Sequence, residues 1–186
     1  MEEKRVIERF LVTGTEEAFC ALFETASARV RRYFLLRGLD AATADDLTQN
    51  VFVKVYRHAG ELRRADHFYG WLFAIARNEM VSHWRQEQGR SEGVEFESLC
   101  ERHEGSLMTE PEVIPAMRLM DLLEALEPAE RDLVVLRFVE GLSYEELAVA
   151  LKLPVGTIKW RIFNARKKLA RILGASPVCA AGQRIN

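Results

Sequence analysis

Apolar residues recur along this chain at three- and four-residue intervals, and no segment sustains the alternation of a half-buried strand. Thr15 followed by Glu16 and Glu17 reads as a helix start. Phe19, Leu22, Phe23, Ala26, Val30, Tyr33 and Phe34 then mark one face, and Gly38 closes the helix. Cys20 falls on that face and reads as packing. A second helix is predicted from near Thr43 or Asp45 to about His58, with Leu47, Val51, Phe52, Val55 and Tyr56 on its apolar side. Its polar stripe is narrow: Thr43, Asp46, Asn50, Lys54 and Arg57. After a polar loop at 59–66, a third helix opens near Asp66, runs to about Gln86 and carries Phe68, Tyr69, Trp71, Phe73 and Trp84. Residues 87–112 hold three Gly, one Pro and eight Glu with little periodicity, the signature of a linker. Four short helices fit 116–126, 129–140, 144–151 and 157–173, and the last dozen residues read as a tail.

The predicted fold is therefore all-α: two small helical domains, 1–86 and 116–175, joined by an acidic flexible linker at 87–115 and followed by a tail at 176–186. The 186 residues carry a formal charge of −2, which conceals a strong asymmetry. Residues 147–186 contain eight Lys/Arg and no acid, whereas 86–118 carry −5 and 119–146 carry −6. A basic end after an acidic middle points to a nucleic-acid contact confined to the last third. The beginning, MEEKRVIERF, is no basic-then-apolar leader, and no apolar run approaches the roughly 20 residues of a membrane span. A soluble, cytoplasmic protein without membrane insertion is the expectation. Cys20, Cys100 and Cys179 are too far apart for a disulfide framework or a zinc knuckle. His58, His67, His83 and His103 lack metal-ligand spacing, so no metal, cofactor or catalytic residue is expected.

The strongest local signal lies in 143–173. Ser143 and Glu146 form an S-x-x-E capping box, Leu153-Pro154-Val155-Gly156 breaks the chain, and Thr157 is a candidate cap for the next helix. Ile158, Ile162, Ala165, Leu169, Ile172 and Leu173 fall on one side of that helix. Trp160, Phe163, Asn164, Lys167 and Arg171 fall on the other, flanked by Lys159, Arg161, Arg166 and Lys168. In a helix-turn-helix the second helix enters the major groove, where amides read base edges and cations hold phosphates. In the third helix Trp71, Asn78 and Arg85 recur at spacings of seven. Such a stripe can stack on and hydrogen-bond unpaired bases.

DDLTQNVFVKVY followed by FYGWLFAIARNEMVSHWR resembles the second conserved region of bacterial RNA polymerase sigma factors. LEPAERDLVVLRFVEGLSYEELAVALKLPVGTIKWRIFNARKKLARIL resembles their fourth region. The short length and the linker between them resemble the extracytoplasmic-function subfamily. The resemblance implies a factor that binds core RNA polymerase and directs initiation at promoters. Asp45, Asp46, Gln49, Asn50, Lys54 and Arg57 would meet the polymerase clamp. Leu62, Arg63, Arg64, Trp71, Arg77 and Asn78 would capture and open the minus-ten element. Thr157, Lys159, Trp160, Arg161, Phe163, Asn164, Lys167 and Lys168 would read the minus-thirty-five element. Thr43, where relatives place an acid, is a possible phosphorylation site for a Ser/Thr kinase, and an anti-sigma factor is a further possible partner. A stand-alone helix-turn-helix regulator is the alternative. It accounts for 116–173 and gives the aromatic helix and acidic linker no task.

Overall fold

The computed structural model describes residues 2–62, 64–87 and 116–173, with side chains from 119 onward in the last segment. Every regular element among them is helical. The chain runs α1 (Glu2–Thr13), α2 (Glu16–Leu36), α3 (Ala41–His58), α4 (Phe68–Glu87), α5 (Ala116–Glu124), α6 (Pro128–Val134), α7 (Tyr144–Leu151) and α8 (Val155–Ile172). The expected linker and tail lie outside the described residues.

The first half is a bundle in which α2, α3 and α4 pack on one another and α1 lies along α2. Thr15 caps α2 as its sequence suggests, its hydroxyl accepting from the Ala18 amide at 3.3 Å. Gly38 takes a φ of 87° just beyond the helix end, a left-handed conformation that costs glycine nothing. Leu22, Ala26, Val30, Tyr33 and Phe34 turn inward to meet Val51, Phe52, Leu72, Phe73 and Met80.

Several local expectations need correction. Helix α3 begins at Ala41, two to four residues earlier than predicted, because Asp40 rather than Thr43 is its cap: the Asp40 carboxylate accepts from the Ala42 and Thr43 amides at 3.0 and 3.1 Å. The 59–66 loop is largely two 3₁₀ turns, Ala59–Glu61 and Ala65–His67, and α4 follows the second directly. Cys20 is exposed, two positions from each of the buried residues Ala18 and Leu22 and so on the opposite side of α2. Tyr56 is 51% exposed, its ring edge resting on Phe19 at 5.0 Å while the rest faces outward. Helix α1 carried no prediction.

In the second half, α6 runs into a π-helical turn at Val135–Val139, closed by the Glu140 amide donating to the Val135 carbonyl at 3.0 Å. Both arms of the Ser143–Glu146 capping box are formed, at 2.8 and 3.1 Å. Lys152 ends α7 at a φ of 53°, and α8 starts at Val155 after the extended residue Pro154. Thr157 therefore sits inside the first turn and does not cap it. Ile158, Ile162 and Ala165 are buried as expected, whereas Ile172 and Leu173 are about half exposed, since the helix outruns the bundle beneath it.

The halves share one core. The most extensive helix pair across the chain is α4 with α7, and buried residues of both halves form a single cluster.

Candidate nucleic-acid interface

Helices α7 and α8 form the predicted helix-turn-helix, with its turn set by the left-handed Lys152 and by Pro154. On α8, burial of Ile158, Ile162 and Ala165 fixes the rotation about the helix axis, so the opposite arc faces solvent. Trp160 is 65% and Phe163 64% exposed, the two most exposed large rings among the described residues. Exposed aromatics of that size on one helical turn mark a binding surface rather than a core. Lys159, Arg166 and Lys167 are exposed beside them, Arg161 and Asn164 are half-buried, and Thr157 lies at the entry of the helix. Lys159 stands 5.5 Å from the Tyr144 ring centroid, and Arg137 packs on the same ring at 4.8 Å. Lys168 differs from its neighbours: its ammonium donates to Glu130 at 3.0 Å and lies 3.9 Å from Glu127.

In the first half, Asn78 projects into solvent from α4, and Trp71 is half-buried with its ring 6.3 Å from Phe68. Leu62 is half-buried against the core, whereas Arg64 is exposed and 3.6 Å from Asp66. Arg63 lies outside the described residues. Arg77 does not face the same way as Asn78. Its guanidinium is turned to Asp132 of the second half at 3.3 Å.

The Ala65–His67 turn and the start of α4 are moored by α1. Lys4 donates to Asp66 at 2.8 Å, which raises the lysine above its ordinary range and holds the Asp66 carboxyl below its own. Glu3 accepts from the Tyr69 hydroxyl and from Arg29. Tyr69 is shifted upward, first by burial and then by its bond to Glu3. Sequence periodicity gave no warning of this, because each partner is a single polar residue on an otherwise unremarkable face.

The third group lies on α3. Asp45, Asp46, Gln49, Asn50, Lys54 and Arg57 are all exposed, with Val53 and Tyr56 about half exposed between them. Asp45 pairs with Arg31 and Lys54 with Glu79. A shallow polar cleft between α3 and α4 is lined by Thr43, Asp46, Asn50, Glu79 and His83. The Thr43 hydroxyl donates to Asp40 at 2.6 Å, which lowers the Asp40 carboxyl below its usual range. A phosphate on Thr43 would thus have a capping carboxylate as neighbour.

Among the described residues no cluster of His, Cys, Asp or Glu has the arrangement of a metal site, and no helix is long and apolar enough to cross a membrane. Comparison with known proteins matches residues 22–90 to the family described as Sigma-70 region 2 and residues 116–169 to Sigma-70, region 4. The chain is 33% identical over 164 residues to the ECF RNA polymerase sigma factor BldN of Streptomyces coelicolor, covering 86% of this chain and 62% of that protein. It is 30% identical over 186 residues to the RNA polymerase sigma-H factor of Pseudomonas aeruginosa, covering 92% of this chain and 94% of that one. Among solved structures, the sigma factor RpoE of Bartonella quintana, in complex with the anti-sigma factor NepR, has a similar fold. Its TM-score is 0.64 at 24% identity, over 82% of this chain and 94% of that one.

Proposed function

The chain belongs to the sigma-70 family of RNA polymerase sigma factors, in its extracytoplasmic-function group, and on that premise we propose how its surfaces divide the work of initiation. It binds core RNA polymerase and directs transcription from promoters by reading two elements of the DNA. Helix α8 reads the upstream, minus-thirty-five element. Trp160, Phe163 and Asn164 supply contacts to base edges, and Thr157, Lys159, Arg161 and Lys167 supply contacts to the backbone. Lys168 contributes only when it leaves Glu130. The minus-ten element is read as single-stranded bases by the segment around Leu62, Arg63 and Arg64 together with Trp71 and Asn78, with Arg77 assisting strand opening. Flipping a base has an unstacking cost of a few kcal/mol, and a ring and an amide on one stripe supply the stacking and hydrogen bonding that offset it.

The exposed face of α3, with its mixture of acids, amides and Lys54 and Arg57 around Val53 and Tyr56, docks on the polymerase clamp. We read the protein as non-enzymatic and as working in the cytoplasm, where its polymerase is. An anti-sigma factor is the partner class that its structural neighbour brings to mind, since that protein was captured with one. Acting alone as a helix-turn-helix regulator would leave the α3 face and the α4 stripe unused.

The observation that carries this reading is the rotation of α8, which buries Ile158, Ile162 and Ala165 and still leaves Trp160 and Phe163 in solvent between cations. Transcription in vitro with core polymerase over a genomic library, with sequencing of the start sites, tests it. A shared pair of upstream motifs at a fixed spacing is the expected result. Start sites no different from those of core alone would refute it.

A further inference from the structure

Among the described residues, Lys168 is the one cation of α8 held by an acid. Lys159, Arg161, Arg166, Lys167 and Arg171 have no carboxylate within ion-pair distance. The Lys168 ammonium lies 3.0 Å from Glu130 and 3.9 Å from Glu127, both at the start of α6. The Glu130 side chain is 24% exposed, and the oxygen that takes Lys168 also accepts from the Glu127 amide at 3.0 Å. Pro128 fixes the entry to α6, and Leu126 and Leu133 are buried on either side of it. The acid therefore stands where it does whether or not Lys168 comes to it.

An exposed ion pair contributes little in general, because two long side chains must be ordered to form it. Here one of the two is already ordered by the helix start that it caps. Lys168 alone gives up freedom, and the partner it gains is one that competes with DNA. Trp160, Asn164 and Lys168 follow one another at intervals of four residues, each about 6 Å further along the helix. The row that meets base edges thus ends on a cation whose charge is already taken.

Resting on the reading above, in which α8 lies in the major groove, we propose that Glu130 is an affinity-setting residue. It occupies Lys168 in place of a phosphate and so removes one backbone contact from every duplex that the protein meets. It touches no base, and it leaves the choice made by Trp160 and Asn164 as it is. What it lowers is the share of binding that any sequence can supply, since phosphate contacts account for nearly all non-specific affinity. A genome offers on the order of 10⁶ or more competing sites, so a small reduction at each releases much of the protein for its promoters.

Glu130→Gln isolates the charge. Glutamine at this third helical position can still accept from the Glu127 amide, because either residue closes a capping box. Helical circular dichroism equal to the parent's checks that the fold is kept. The full chain, assembled with core polymerase, is titrated on two duplexes of equal length between about 50 and 200 mM salt. One carries the preferred upstream element and the other a scrambled one. Glu130→Gln should bind both at least about threefold more tightly than the parent at the lower salt, and by the same factor. Its loss of affinity across that range should exceed the parent's by roughly 3.5-fold, the effect of one further phosphate contact. On a Lys168→Gln background the same substitution should change neither quantity, whereas a general change of charge would act with or without Lys168.

An unchanged salt dependence, or a gain that survives without Lys168, would overturn the proposal. A gain confined to one duplex would also overturn it, by making Glu130 part of base selection. Lys167→Gln separates this from the underlying reading, since it should flatten the salt dependence in every background. If it too has no effect, α8 does not lie on the DNA and the reading itself falls.

Discussion

The Tyr33 hydroxyl donates a 2.8 Å hydrogen bond to the Asp132 carboxylate, joining two fully buried side chains that stand 99 positions apart in the sequence. Burial, and then the charge of Asp132, push the phenol far above its ordinary range, so it stays protonated and a donor at every physiological pH. Because the acceptor is charged, Tyr33→Phe should destabilise the chain by about 1.5–3 kcal/mol in urea denaturation. A change within about 0.5 kcal/mol would mean that Arg37 and Arg77 satisfy Asp132 without it.

On α8 the cations should prove unequal. Lys167 is exposed, whereas Lys168 is already engaged with Glu130. Lys167→Ala should reduce the dependence of promoter-fragment binding on salt by about one unit of the log–log slope. Lys168→Ala should change it by less. Holoenzyme titrations between low and moderate salt would show equal slopes if the Glu130 contact does not persist on DNA.

Asn164→Ala should cost about 1–3 kcal/mol on the preferred upstream element and relax selectivity at one base position, since its amide can pair with adenine in a bidentate fashion. Trp160→Ala should weaken the same site with little change in salt dependence. Binding to a randomised upstream element, read by sequencing, distinguishes these outcomes from a uniform loss.

Asn78 is exposed and its side chain makes no hydrogen bond among the described residues, so Asn78→Ala should leave both stability and polymerase binding close to the parent's. Promoter opening, followed by permanganate reactivity of unpaired thymines, should fall several-fold. A matching loss of polymerase affinity would move Asn78 from base capture to assembly.

Much of this was legible in advance because burial leaves a periodic trace. The inward stripes of α2 and of α8 up to Ala165, the Thr15 cap and the Ser143–Glu146 box were each predictable from spacing alone, since each involves residues within one or two turns. Asp40 was missed as the α3 cap because Thr43 and Asp45 offer competing start signals a few residues later. Only the backbone dihedrals decide among them. Tyr56 was misplaced because a ring can cover a neighbour with one edge while its body remains wet. The Asp132 and Glu140 contacts were invisible for a different reason. Two acids within an apolar helix read as solvated unless their partners, 55 to 111 residues upstream, are known. The roles of the clamp-facing and base-reading residues came from family resemblance, and the fold places those it describes without testing them.

The Asp40 cap carries a pH signature. Its folded-state pKa is depressed by the Thr43 hydroxyl and amide, so its contribution is present above the unfolded value of about 3.9 and fades as pH falls through the lower folded value. Asp40→Ala should lower the melting temperature at pH 7, and the difference from the parent should shrink below about pH 4. A gap that persists undiminished at pH 3 would assign the effect to helix propensity rather than to the carboxylate.

A π turn is an α-helix with one residue too many, and the wide turn at Val135–Val139 absorbs that surplus before it can rotate anything beyond it. Removing a single residue there would heal the helix and leave Glu140 seven positions from Asp132, within roughly 20° of the same side, so that it still faces Arg29 and Arg32. The helix-turn-helix, whose own capping box and turn lie downstream, would survive intact as a unit. A chain shortened by one residue would thus keep both its DNA-reading module and the alignment of that module with the rest, the turn being slack that the helix has already taken up.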